Sequence, residues 1–95
     1  MGYRNAATDR LVQAFLKLKT EDECYDFLDD LCTVKEILDM SQRLEVAFML
    51  SDKNNYQQIA EKSGASTATI SRVNKCYMYG NDGYKTVISR MKEDK

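Results

Sequence analysis

The run STATISRVNK, Ser66 to Lys75, carries short hydroxyls, an alanine and two cations, and no acidic residue falls between Ser66 and Asn81. If it is helical with Ile70 and Val73 turned inward, then Ser66, Thr67, Ala68, Ser71, Arg72 and Lys75 face outward, and Thr69 completes the candidate set. The chemistry open to such a face is the reading of double-stranded DNA. Thr can hydrogen-bond a base edge or touch a thymine methyl. Arg72 can pair with guanine or with phosphate, and Lys75 is suited to phosphate. Gln57, upstream, is placed to touch the backbone and an adenine. The plain alternative is a solvated Ser/Thr face. It is weakened by the missing acids, because the chain as a whole carries 15 Asp and Glu.

Such a face must be held by a scaffold, and the stretch Tyr56 to Cys76, YQQIAEKSGASTATISRVNKC, reads as a helix-turn-helix. Two helices crossing at about 90–120° over a short turn meet closely at one point, where only a small side chain fits. Ala60 supplies it. Gly64 gives the turn a residue free to take positive φ. Ile59, Ile70 and Val73 fill the wedge, since residues three or four apart share a helix face. Ser66 is placed to cap the second helix, and Asn55 with Gln58 forms a capping box for the first.

Upstream of this unit the pattern is helical throughout. Leu11, Phe15 and Leu18, widened by Val12 and Leu16, mark a helix over residues 5–19. Thr20 with Glu23 caps a second helix whose apolar face is Cys24, Phe27, Leu28 and Leu31. Thr33 with Glu36 opens a longer helix reaching Leu50. Its main stripe is Ile37, Met40, Leu44, Ala47 and Phe48, extended by Leu38, Val46, Met49 and Leu50. Gly80-Asn81-Asp82-Gly83 breaks the chain. Tyr84, Val87, Ile88 and Met91 then give a last helix. The expectation is an all-α fold of six helices in one domain, 1–95: dimerisation helices over 1–54, the helix-turn-helix over 55–77, and a C-terminal helix over 83–93. Apolar faces this broad are more than a monomer of 95 residues covers, so the early helices are expected to interleave in a homodimer.

Charge is unevenly placed. The net charge is −1, which lacks the global excess of a nonspecific nucleic-acid binder. Residues 1–55 hold 7 basic and 11 acidic side chains, a balance of −4, whereas residues 56–95 hold 7 basic and 4 acidic, a balance of +3. The helix-turn-helix half is therefore the positive one, as a phosphate-facing surface requires. An enzyme is not expected: there is no histidine, no glycine-rich phosphate loop and no partnered carboxylate pair, so no catalytic residue is assigned. Acidic clusters such as Glu21-Asp22-Glu23 are explained by helix starts. Cys24, Cys32 and Cys76 lack metal-ligand spacing and read as buried thiols, so neither metal nor cofactor is expected. The first residues lack the apolar core of a signal peptide. Nothing approaches the run of about 20 apolar residues that spans a bilayer. A cytoplasmic protein without membrane contact is expected.

Several longer runs carry a family resemblance. Thr33, MSQRLEVAFML with Arg43, and GASTATISR, in a six-helix order, resemble the Trp repressor superfamily. FLDDLCTVKEI, SQRLEVA, ASTATISRVNKC and YGNDGYK are similar to its YerC/YecD branch, and the resemblance covers nearly the whole chain. It implies an intertwined helical homodimer that binds operator DNA. It also implies a ligand site: the family's two corepressor-flanking arginines match Arg43 and Arg72, and its carboxylate-binding threonine matches Thr33. There the match ends. Val73 stands where the family has the glycine that packs on the indole, Cys76 where it has a serine that meets the amino group, and Asp30 where it has a leucine. Valine places methyl groups where the ring would lie, and cysteine is a weaker hydrogen-bonding group than serine. The site formed by Thr33, Arg43 and Arg72 is thus read as vestigial. The expected function is a sequence-specific DNA-binding regulator, a repressor reading a palindrome, without tryptophan as effector and with its small-molecule effector unassigned. The alternative is a helix-turn-helix adaptor for another protein, with no specific DNA binding.

Overall fold

A computed structural model describes residues 2–94. It holds six helices: α1 (Ala6–Leu16), α2 (Glu21–Leu31), α3 (Val34–Ser51), α4 (Tyr56–Ser63), α5 (Thr67–Tyr79) and α6 (Gly83–Glu93). No strand occurs among the described residues, and the fold is all-α.

Short polar side chains start most of these helices by taking backbone N–H groups that have no partner within the helix. Asn5 Oδ1 accepts from the Thr8 N–H at 2.9 Å while Thr8 Oγ1 accepts from the Asn5 N–H at 2.8 Å. Thr33 and Glu36 close the same reciprocal box at the head of α3, at 3.1 and 2.8 Å. Thr20 caps α2 through the Glu23 N–H at 3.1 Å, but the Glu23 carboxylate accepts from Lys19 N–H at 2.8 Å rather than from Thr20. That contact helps explain why α1 ends at Leu16 and not at 19. Lys19 is already committed to the next helix, and the Lys17 N–H closes α1 on Ala14 and Phe15 carbonyls. At the head of α6, Asp82 makes no side-chain cap and sits at φ +63°, a region that Asp tolerates better than most residues.

The chain divides into two compact units between Ile37 and Leu38. In the first, Phe15 of α1 meets Phe27 of α2 edge to face, with centroids 5.2 Å apart and an interplanar angle of 78°. Neither helix buries a single residue. Leu16 is 70% exposed and Leu31 49%. The second unit has a core: Val46 and Ala47 of α3, Ile59 of α4, Ala65 in the turn, Ile70 and Val73 of α5, and Ile88 of α6. Of the stripe expected on α3, Ala47 is fully buried and Leu44 and Phe48 are half-buried, and Val46, from its extension, is buried with Ala47; Met40 and Leu38 stay exposed.

The three thiols correct an expectation. Cys24 and Cys76 are exposed and Cys32 is half-buried; α2, which carries Cys24 and ends at Cys32, buries no residue, and Cys76 lies on α5, whose buried residues are Ile70 and Val73. Among the described residues no group of His, Cys, Asp and Glu could hold a metal ion. No described helix is long and apolar enough to cross a membrane.

Candidate nucleic-acid interface

The interface is built from the turn outward. Asn55 Oδ1 accepts from Gln58 N–H at 2.9 Å and Gln58 Oε1 from Asn55 N–H at 2.8 Å, so α4 starts on a complete capping box. It ends at Gly64, where φ is +71° and the N–H donates to the Ala60 carbonyl at 3.0 Å. A Cβ added at Gly64 would meet nothing within 4 Å. Glycine is required there for its conformation, not for space.

Beside it, Ser63 is a small hub. Its Oγ donates to the Ile59 carbonyl at 2.6 Å and accepts from the Ala65 N–H at 3.1 Å, and its own carbonyl accepts from Gln42 Nε2 of α3 at 3.2 Å. Ala65 is buried and closes the turn onto the core. Sequence reasoning did not single out Gln42, Ser63 or Ala65. The small Ala after Gly64 was a local signal for burial, whereas nothing local links Gln42 to a residue 21 positions away.

The Ser66 hydroxyl accepts from Thr69 N–H and donates to Thr69 Oγ1, both at 3.1 Å. These two candidate contacts are thus partly engaged in capping α5, and Thr69 is half-buried. Thr67, Ala68, Ser71, Arg72 and Lys75 are exposed along the same helix. Ile70 and Val73 anchor its other side, at 1% and 2% exposure. Gln57 is exposed on α4, with Nε2 donating to Glu61 Oε1 at 3.3 Å. Farther along α5, Tyr77 lies under Lys85 of α6, whose Nζ is 5.3 Å from the ring centroid.

Of the residues matched to a ligand site, Thr33 caps α3 in the first unit, and Arg43 and Arg72 are exposed in the second. Val73 is packed in the core with Ile59 and Ile88. Cys76 lines a groove of about 540 Å³ together with Leu44, Gly80, Asn81, Gly83, Tyr84 and Val87, none of them charged.

Two helices locked across a positive-φ glycine, with a capped second helix free of acids, place the chain among helix-turn-helix proteins of the all-α class. It matches the Trp repressor protein family over residues 6–92, and it belongs to that family. It is 52% identical over 90 residues to YerC of Bacillus subtilis strain 168, itself uncharacterized, covering 95% of this chain and 86% of that one. A TrpR-like protein from Eubacterium eligens ATCC 27750 superposes with a TM-score of 0.91 at 56% identity, over 94% of this chain and 92% of that one. A crystal structure from Staphylococcus aureus, provisionally assigned as a Trp repressor, gives a TM-score of 0.90 at 52% identity, over 94% and 89%.

Proposed function

We propose that this protein is a sequence-specific DNA-binding transcription regulator, a repressor that reads a palindromic operator as a homodimer and does not use tryptophan. One observation carries the reading. Helix α5 is capped, anchored by Ile70 and Val73, and presents Thr67, Ala68, Ser71, Arg72 and Lys75 to solvent with no acid among them. Short side chains let a helix approach base edges, and the two cations supply base and phosphate contacts. The homodimer is supported by α1 and α2, which bury no residue within their own chain. Pairing would set two copies of α5 about 34–36 Å apart, one turn of duplex. Independence from tryptophan is supported by Val73, whose methyl groups fill the core where the family's glycine leaves room for a ring.

The test is selection of duplexes from a randomised pool. The wild-type chain is expected to enrich one palindromic sequence, and a variant carrying Thr67→Ala and Arg72→Ala to enrich none. Calorimetry with L-tryptophan is expected to give a flat trace, and a saturable micromolar isotherm overturns that part of the reading. The second reading, an adaptor for another protein, is favoured by the acidic pI near 5.4. Salt separates the two: phosphate-dependent binding weakens steeply as salt rises. If wild type and the double variant shift every DNA equally poorly at low salt, the adaptor reading prevails.

A further inference from the structure

The turn that joins α4 to α5 is held from outside by one side chain of the long helix. Gln42 is half-buried on α3, and its Nε2 donates to the Ser63 carbonyl at 3.2 Å. Ser63 is the last residue of α4, so its carbonyl is one of those that a helix end leaves without a helical partner. The same residue fixes the turn on its other side. Its hydroxyl bridges the Ile59 carbonyl and the Ala65 N–H, and the Gly64 N–H closes on Ala60. Apolar packing of Val46 and Ala47 against Ile59 and Ile70 holds α3 to the helix-turn-helix, but such contact is non-directional. A hydrogen bond is directional, and weakens steeply when its angle opens.

We infer that Gln42 is a positioning residue: its bond to Ser63 sets the angle at which α4 and α5 leave α3, and so the fit of α5 to bases rather than the affinity for phosphate. This inference rests on the DNA-reading function proposed above. Base contacts need bidentate alignment, which a small rotation spoils. Phosphate contacts survive the same rotation, because they depend mainly on charge. Loss of the bond is therefore expected to lower discrimination between sequences while leaving general DNA affinity in place. Gln42 lies at part-buried depth with no ionised partner in the bond, so its removal leaves the apolar core intact.

The experiment compares wild type with Gln42→Leu, which keeps the stem and removes the donor, and Gln42→Lys, whose longer stem returns a donor to the Ser63 carbonyl. The probes are the duplex that wild type enriches from a randomised pool and a scrambled duplex of the same length and composition. Gln42→Leu is expected to lose about tenfold in affinity for the enriched duplex, about one hydrogen bond's net worth. It should bind the scrambled duplex within about twofold of wild type, on the view that charge sets that term. Amide exchange at Ala65 is expected to accelerate. Gln42→Lys is expected to recover most of the ratio between the two duplexes. Unchanged preference in Gln42→Leu overturns the inference, and so does an equal loss on both duplexes with a lowered melting midpoint, which would mark a structural role alone. If wild type enriches no duplex, the DNA-reading function falls and takes this role with it. If wild type enriches one and Gln42→Leu matches it, only the role of Gln42 falls.

Discussion

Val73 closes the inner side of α5. Fully packed against Ile59 and Ile88, it is part of what keeps the helix in place. Val73→Ala would empty the space of two methyl groups, and is expected to destabilise the fold by about 2 kcal/mol, read by urea unfolding. It is not expected to gain an isotherm for tryptophan. On the outer side, the two exposed cations should separate by role. Lys75→Ala is expected to weaken binding evenly across sequences and to reduce the slope of log affinity against log salt by about one. Arg72→Ala, if Arg72 meets a base, is expected to cost about 1–3 kcal/mol on the preferred duplex and to relax selectivity at one position. Fluorescence anisotropy over a salt series reads both.

At the scale of elements, the helix starts were legible because a cap is written within a few residues. Asn55 with Gln58, Thr33 with Glu36, and Ser66 ahead of Thr69 all take their bonds at short range. The wedge of Ile59, Ile70 and Val73 was legible for the same reason, through helical periodicity. What lay beyond local reading was set by partners distant in sequence. Which part of the broad apolar face of α3 is covered, Val46 and Ala47 rather than Met40 and Leu38, depends on where α4 and α5 come to rest, and the Gln42 bond depends on the turn. The end of α3 was legible to within a residue, expected at Leu50 and found at Ser51, but the form of its closure was not. Lys53 takes φ +67° there, its N–H donating to Leu50 and that of Asn54 to Met49, both at 3.0 Å. This is a Schellman closure with lysine where glycine is usual. Lys53→Gly is expected to relieve strain and stabilise by about 1 kcal/mol, raising the melting midpoint by about 4–8 °C. Gly64→Ala should shift it the other way, since φ +71° strains an added Cβ even in open space.

For the molecule as a whole, the contrast between the two units matters most. Residues 38–94 carry the core, while α1 and α2 display Leu16, Tyr25 and Leu31 with nothing buried. The buried core is small for a chain of 10.9 kDa, and pairing would bury more of its apolar surface. Sedimentation at micromolar concentration is expected to find twice that mass, and a monomer would overturn the pairing. Thermal unfolding should likewise shift upward with protein concentration, because association favours the folded state by mass action.

The uncovered faces of α1 and α2 also have a genetic consequence. They belong to helices other than α5, so a copy that has lost Arg72 keeps the faces that the proposed pairing uses. Expressed in equal amount beside the wild type, such a copy would leave only about one quarter of the pairs with both reading helices sound, as random assembly of an isologous dimer dictates. A defective allele would therefore be dominant, poisoning its normal counterpart. An allele that damages α1 or α2 would be recessive, since its product could no longer enter a pair.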